Sequence, residues 1–509
     1  MKILDCTLRD GGYYTNWDFA DNIVDSYIEA TNRLPIDYLE IGYRNNPSNE
    51  YMGKFGYTPV SELRRIRLKS EKKLALMLNE KSVVTEDLGA LLNPILGLVD
   101  MIRIAIDPKN IDRAIHLAEI IKEMGFEVGF NVMYMSKWQE YDGFLLKLKQ
   151  INGIADLFCM VDSYGGISPK EVKNLVKQVK ENTTCPIGFH GHNNLQLGLI
   201  NTLTAIECGV DFVDATILGM GRGAGNLNME LLLTYLNKHY GLDVDFNVLG
   251  DVIMAFTPLM EKYQWGTNLP YMLSGANSIP QKEVMDWICN RTYSFNNVVR
   301  ALNNKKENVA DNAKYPLFKP RKYDNVIIVG GGTNAEIHTN AIKAFIEQQK
   351  SAAVVFASAR YADLYKELKV DKYYCLVGSE AKRLERTVGM ENFEGTCILS
   401  PYPRTMGTEV PSFAEQMTYE LQKIVFTDVY TDSCTAVAIQ AAMDMTDGEI
   451  YLTGYDGYLG NILSEKEVAL TNENTQLFKD CNLYRGNQLK SLTPTLYSEL
   501  NVQSVYQLI

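Results

Sequence analysis

The sequence predicts an α/β protein built as a (β/α)8 barrel, then a helical segment, then a second Rossmann-like α/β domain. Three observations carry this reading. Short β-rich runs alternate eight times with amphipathic helical runs over residues 1–240, the alternation lapses over 241–320, and it resumes over 321–509. Eight evenly spaced units favour closure into a TIM-type barrel over an open doubly wound sheet. A chain of 509 residues also exceeds what one hydrophobic core usually supports, so several domains are expected.

The barrel strands are expected at Ile3–Leu8, Tyr38–Tyr43, Lys73–Leu78, Met101–Ile106, Glu127–Tyr134, Leu157–Asp162, Ile187–His192 and Phe212–Leu218. Helices such as Pro108–Met124, Pro169–Asn182 and Leu195–Cys208 separate them. Residues 241–320 read as a helical extension ending in the polar linker 303–316. The second domain opens on the apolar strand Val326–Val329 and continues through Ala352–Ala357, Lys372–Val377 and Glu449–Gly457.

Composition limits the functions available. The net charge is −12, from 50 basic and 62 acidic residues, and no run of Lys and Arg could track phosphates, so nucleic acid is not an expected partner. No apolar stretch reaches the roughly 18 residues of a membrane span, and Asp5 and Arg9 interrupt any signal-like run. Nine cysteines without a C-x-x-C pair read as reduced thiols, so the expected compartment is the cytoplasm. The expected partners are small molecules and further copies of the chain in a homo-oligomer, with no membrane.

Chemistry concentrates at strand ends. In His190-Gly-His192 the imidazoles are two residues apart in a strand, so both face one side and can reach one ion. A run ending in Arg9-Asp10 offers a carboxylate as a third, harder ligand. Two imidazoles and a carboxylate with open positions suit a catalytic metal site. Arg9-Asp10, Glu40, Asp162-Ser163 and His190/His192 all fall near C-terminal strand ends, the catalytic face of such barrels. His116 and His239 read as surface or packing residues.

The run Asp5-Cys-Thr-Leu-Arg-Asp-Gly11, the pair His190-Gly-His192 and the loop Gly219-Met-Gly-Arg-Gly-Ala-Gly-Asn226 resemble, in order, three signatures of the DRE-TIM metallolyases. This superfamily includes hydroxymethylglutaryl-CoA lyase, isopropylmalate and homocitrate synthases, pyruvate carboxyltransferases and 4-hydroxy-2-oxovalerate aldolase. Thr7-Leu-Arg-Asp-Gly-Gly-Tyr-Tyr-Thr-Asn16 is most similar to the aldolase branch. The resemblance covers roughly residues 1 to 300 and implies a divalent ion, Mn2+ or Mg2+ with Zn2+ as an alternative. Asp10, His190 and His192 would hold it, with Asn226 as a further ligand.

The implied reaction makes or breaks a C–C bond of a 4-hydroxy-2-oxo acid through a pyruvate-type enolate, with an aldehyde as the second partner. The ion would be the Lewis acid. Arg9 would stabilise the developing charge. The alternatives are an acyl-CoA-dependent Claisen-type synthase and a non-catalytic binding protein with a decayed site. The chain departs from the aldolase pattern at Tyr13, where a histidine is expected three residues after the aspartate. A phenol with an unperturbed pKa of about 10 is a poor base near neutrality. Tyr13, Tyr14 and Glu40 are the candidate replacements. Ser163, Arg103 and Arg222 are candidate substrate contacts, although Ser163 also suits a turn and Arg103 also suits neutralising Glu40. The glycines of 219–225 suit an anion nest or a tight turn.

In the second domain, Gly330-Gly-Gly-Thr-Asn-Ala335 satisfies G-x-G-x-x-A after a strand, which suits phosphate at a helix N-terminus. The acidic residue expected about 20 positions on is absent, and Ser358 and Arg360 there would suit a 2′-phosphate. The domain is similar to nucleotide-sugar, pterin-pyrophosphate and sialyltransferase-like domains in two short segments, which implies a bound nucleotide or phosphorylated ligand. Gly330, Gly332, Thr333 and Asp456 are the candidate contacts. Cys434 opens a helix that can lower a thiol's pKa, unless the residue packs inside.

Overall fold

The protein is described here by a computed structural model covering residues 1–49, 51–289, 293–311, 313–391, 393–404, 406–458, 465–486 and 489–509. It comprises two compact units, Met1–Met285 and Asp286–Ile509. The division falls within the 241–320 stretch, which forms helices Phe246–Tyr263, Leu269–Ala276, Gln281–Cys289 and Phe295–Lys306.

In the first unit β1 (Lys2–Asp5), β2 (Tyr38–Tyr43), β3 (Lys73–Asn79), β4 (Met101–Ile106), β5 (Glu127–Val132), β6 (Leu157–Asp162), β7 (Ile187–Gly191) and β8 (Phe212–Ala215) close into a parallel barrel. β1 seals it against β8, with Leu4 opposite Asp214. Alternation within strands sorts the side chains. In β4, Ile102, Ile104 and Ile106 join the apolar layer under the helices, while Met101 joins Leu4, Tyr38, Leu157 and Phe212 inside the barrel. Arg103 shares the inward parity of Met101 and is wholly buried.

Four strands end earlier than expected, each at a local turn. β1 stops at Asp5 because the chain enters the helix Thr7–Thr15, so Arg9 and Asp10 are helical rather than extended. The Thr7 amide donates to Asp5 Oδ1 at 2.8 Å, which bends the chain there. That helix contains Gly11 and Gly12, poor helix formers held by packing. A Cβ at Gly11 would lie 2.5 Å from Met220 Sδ, and one at Gly12 would lie 2.0 Å from the Trp17 ring. β5 ends before Tyr134 and β8 before Leu218, which take left-handed φ values of 58° and 54°. β7 ends at Gly191, and His192 instead bridges to Asn226.

The second unit is an eight-stranded sheet, parallel throughout. Its strands are β9 (Asn325–Val329), β10 (Ala352–Phe356), β11 (Asp371–Leu376), β12 (Thr396–Leu399), β13 (Thr418–Glu420), β14 (Glu449–Thr453), β15 (Lys490–Ser491) and β16 (Asn501–Val502). Their order is β13-β12-β11-β10-β9-β14-β15-β16. The chain winds outward in both directions from the β9/β14 pair, the arrangement that opens a crevice at C-terminal strand ends. Helices cover both faces: Val326 and Ile328 pack with helix Cys434–Met445, Ile327 and Val329 with helix Thr339–Glu347. Every cysteine whose side chain is described is free. Among the described residues no helix is long and apolar enough to cross a membrane.

Candidate active site

The C-terminal mouth of the barrel holds a cavity of about 110 Å³ lined by Arg9, Asp10, Tyr13, His190, His192 and Arg222 among others. Cofactor and drug-sized pockets span roughly 300–1,000 Å³, so this one suits only a small molecule. One ligand atom from each of Asp10, His190 and His192 lies within 4.8 Å of the others. His190 Nε2 is 3.8 Å from Asp10 Oδ2. These spacings approach the roughly 3–4 Å separating atoms that share an ion at about 2.0–2.2 Å.

The surrounding bonds prepare the imidazoles as ligands. His192 Nδ1 donates to the Asp162 carbonyl at 2.7 Å, which can only accept, so the lone pair is on Nε2. His190 Nδ1 lies 3.0 Å from Asp214 Oδ2. Burial raises the Asp214 carboxyl, but Arg103 and His190 outweigh it and hold it ionised, so Nδ1 of His190 is the donor. A carboxylate or carbonyl behind each metal-binding histidine is the usual way such rings are fixed. Burial and the neighbouring His190 push the His192 pKa down to about 4, keeping it neutral and able to coordinate.

Asp10 is held from both sides. Arg9 Nη1 donates to Oδ1 at 2.6 Å and Asn226 Nδ2 donates to Oδ2 at 2.6 Å. Burial opposes ionisation of Asp10, yet Arg9, His190 and His192 bring its pKa down to about 2. Asn226 Oδ1 is buried without a hydrogen-bond partner among the described residues. An ionised carboxylate, two oriented imidazoles and an unsatisfied amide oxygen fit a divalent cation. A second cluster, Cys6 with His190 and Asp214, does not. Burial pushes the Cys6 thiol well above its usual range, and Asp214 is already engaged.

Below the cavity lies a buried ionic layer. Arg103 donates to Glu40 Oε2 and Asp214 Oδ2, each at 2.8 Å, and also to Asn131. Arg9 Nε is 3.3 Å from the same Glu40 oxygen. Glu40 and Arg103 are both fully buried, and neither lines the cavity. Their carboxylate–guanidinium contacts hold Arg9 and His190 in place from beneath.

Around the rim, the Tyr13 and Tyr43 hydroxyls are 3.1 Å apart and the Arg222 guanidinium lies 3.7 Å from the centre of the Tyr13 ring. Burial raises the Tyr43 pKa well above its usual value, so that phenol keeps its proton. Among the described residues no carboxylate pairs with Arg222. Tyr14 turns away from the cavity, donating to the Gly223 carbonyl at 3.0 Å. Ser163 lines the cavity and accepts from the Tyr134 amide at 2.8 Å. In the glycine loop, the amides of Gly219, Met220, Gly225 and Asn226 donate to backbone carbonyls and that of Ala224 to Gln281 Oε1. Those five are spent within the fold and cannot also hold an anion. Gly223 and Gly225 instead permit the turn, at φ of 62° and 75°.

Sequence reasoning missed Asp214, Asn131, Tyr43 and Gln281. Asp214 was visible as a lone acid in the apolar strand 212–215, facing the same side as Phe212. Gln281 reaches the site from a helix beyond the barrel, donating to Asn194 Oδ1 at 2.7 Å, with no local signal.

Comparison with known proteins gives the family. The HMGL-like family pattern matches residues 102–252. A 4-hydroxy-2-oxovalerate aldolase from Pelotomaculum thermopropionicum is 30% identical over 283 residues, 54% of this chain and 82% of the relative. The chain belongs to the HMGL-like (DRE-TIM) superfamily. A second 4-hydroxy-2-oxovalerate aldolase, from Chloroflexus aurantiacus, is 31% identical over 51% of this chain and 76% of its own length. The crystallised N-terminal domain of a Bacteroides vulgatus protein, provisionally named an aldolase, is 75% identical. It covers 59% of this chain and 100% of that domain at a TM-score of 0.57. The barrel is thus that of an enzyme of the lyase and aldolase superfamily.

In this HMGL-like protein the second unit carries its own cavity of about 810 Å³ at the β9/β14 crevice. Gly330, Gly332, Thr333 and Asp456 line it, as do Ser358, Arg360 and Cys434. Asp456 Oδ2 accepts from Thr333 Oγ1 at 3.1 Å and from the Asn334 amide at 2.9 Å. The helix that follows, Asn334–Ile337, is a single turn. The thiol of Cys434 departs from the low-pKa expectation: burial pushes it well above its usual value and outweighs the helix N-terminus.

Proposed function

We propose that the barrel is a divalent-metal-dependent aldolase acting on 4-hydroxy-2-oxo acids through a pyruvate-type enolate. The observation that carries this reading is the convergence of Asp10, His190 and His192, with both imidazole Nδ1 atoms already engaged. These residues would hold an Mn2+ or Mg2+ ion, which supplies Lewis-acid polarisation of the 2-oxo group. The aldolase names of the 30–31% identical relatives support the reaction class.

The chain's own groups divide the remaining work. Asn226 and Arg9 orient Asp10. Arg9, kept cationic by Asp10 and Glu40 despite its burial, lines the cavity where oxyanion charge would develop. Arg222, without a carboxylate partner among the described residues, is placed to pair with the substrate carboxylate, and Ser163 faces the same space. Tyr13 stands where the aldolase pattern has histidine. With Arg222 against its ring and Tyr43 at its hydroxyl, it is the group placed to take or return the substrate hydroxyl proton. Glu40 is not placed to do so, because Arg103 and Arg9 occupy it below the cavity.

The test is to incubate the full chain and Mn2+ with pyruvate plus short aldehydes, and separately with 2-oxo acids plus acetyl-CoA. New C–C bonds are followed by mass spectrometry. Products from pyruvate and aldehyde are expected. Products only from acetyl-CoA would transfer the site to Claisen chemistry, and no product in either arm would contradict the reading.

A further inference from the structure

We propose that the second unit binds a nucleoside phosphate whose phosphate rests on an arginine wall, and not on the glycine turn that the sequence singles out. The location is the crevice outside the β9/β14 pair, where open parallel sheets receive ligands. Its volume of about 810 Å³ falls within the range of nucleotide-sized sites and far exceeds what inorganic phosphate would fill.

The usual phosphate seat is already taken. After β9 the first free helical amide, that of Asn334, donates to Asp456 Oδ2, and Thr333 Oγ1 donates to the same oxygen. A pyrophosphate over this turn would meet that carboxylate. Gly332 is glycine for the same contact, since a Cβ there would lie 2.6 Å from the Asp456 carboxyl carbon. Asp456 and Gly332 therefore account for each other's close contact, while Asp456 Oδ1 is buried without a hydrogen-bond partner among the described residues.

The cations Arg360, Arg383 and Arg386 line the same cavity. Arg383 Nη1 donates to Ser358 Oγ at 2.9 Å and lies 3.3 Å from Glu380 Oε2. Arg360 Nη1 donates to the Gly331 carbonyl at 3.2 Å, and Arg386 Nε to the Lys382 carbonyl at 3.3 Å. Among the described residues neither Arg360 nor Arg386 pairs with a carboxylate. Three guanidinium groups against the carboxylates of Glu380 and Asp456 leave a surplus of positive charge suited to phosphate oxygens. Tyr458, 38% exposed and also lining the cavity, provides an aromatic surface for a base.

Gly331 separates the two possible seats. A Cβ there would lie 3.3 Å from Ser358 Oγ, a close contact that a shift of a few tenths of an ångström in that hydroxyl relieves, so Gly331→Ala is compatible with the fold. The experiment is calorimetric titration of the full chain with ADP, GDP, CDP and UDP, and with NADP+, ribose 5-phosphate and inorganic phosphate. At least one nucleoside diphosphate is expected to bind more tightly than ribose 5-phosphate or phosphate. Arg383→Ala and Arg386→Ala, with unchanged thermal unfolding, should each weaken it about tenfold or more. Gly331→Ala should change it less than threefold. The proposal is overturned if no nucleoside diphosphate binds, if the arginine variants bind as the parent does, or if Gly331→Ala abolishes binding. Phosphate or ribose 5-phosphate binding as tightly as every nucleotide would also overturn it.

Discussion

Asp214→Asn isolates the contact that prepares His190 as a ligand. Asp214 Oδ2 lies 3.0 Å from His190 Nδ1 and accepts from Arg103 at 2.8 Å, while Oδ1 is buried without a partner. In the asparagine variant the oxygen can keep the Oδ2 place, but the amide NH2 then fills the unpartnered side. A buried unsatisfied donor costs about 1–3 kcal/mol. The opposite flip would set that donor against His190 and Arg103, and is worse. A neutral acceptor also holds the His190 Nδ1–H about half as strongly as a carboxylate does. Loss of such a supporting carboxylate typically weakens metal binding about 10–100-fold, or about 1.4–2.8 kcal/mol. Calorimetric Mn2+ titration of the full chain reads the affinity, and urea unfolding reads the stability. A folded variant with parental Mn2+ affinity would refute the assignment of Asp214 to His190.

Four further outcomes are expected. Arg222→Ala should raise KM for the 2-oxo acid about tenfold with a smaller change in kcat, as steady-state kinetics will show. Tyr13→Phe should keep the ring contact with Arg222 but lower kcat by about a hundredfold or more, with KM nearly unchanged; an unaltered kcat would remove Tyr13 from proton transfer. Gly12→Ala, whose Cβ would lie 2.0 Å from the Trp17 ring, should cost about 1–3 kcal/mol in urea unfolding. Burial, only partly offset by Tyr27 and Thr7, lifts the Asp5 pKa from 3.8 to about 6, so the folded state keeps that proton to higher pH than the unfolded one. Its stabilising effect is complete below the unfolded value and is lost as pH rises to about 6, a fall of about 3 kcal/mol that Asp5→Asn should abolish in pH-dependent unfolding.

Strand periodicity made the barrel legible, because buried parallel strands are apolar on both faces and helices between them are amphipathic. The strand ends were not, since they depend on turns such as those at Tyr134 and Leu218 that no apolar pattern marks. Arg9 and Asp10 were visible as chemistry but misplaced on a strand, because packing of Gly11 and Gly12 against Met220 and Trp17 overrides helix propensity. In the second unit β12, β13, β15 and β16 escaped notice at four residues or fewer. The glycine turn was visible as a motif, but Asp456, over 120 residues later, decides what its amides contact. The contact of Arg103 to Glu40 was legible as one reading of two charges on barrel strands, but its contact to Asp214 spans 111 residues, beyond any local pattern.

The central claim is that Asp10, His190 and His192 hold a divalent ion that the barrel uses to ionise a 2-oxo acid. Hydrogen–deuterium exchange at the methyl group of pyruvate in D2O tests it most directly, because exchange requires enolate formation without any aldehyde partner. The account predicts exchange with Mn2+ or Mg2+, none after chelation, and none in His190→Ala. Exchange that persists in chelated protein or in His190→Ala, or no exchange in the metal-loaded parent, would contradict it.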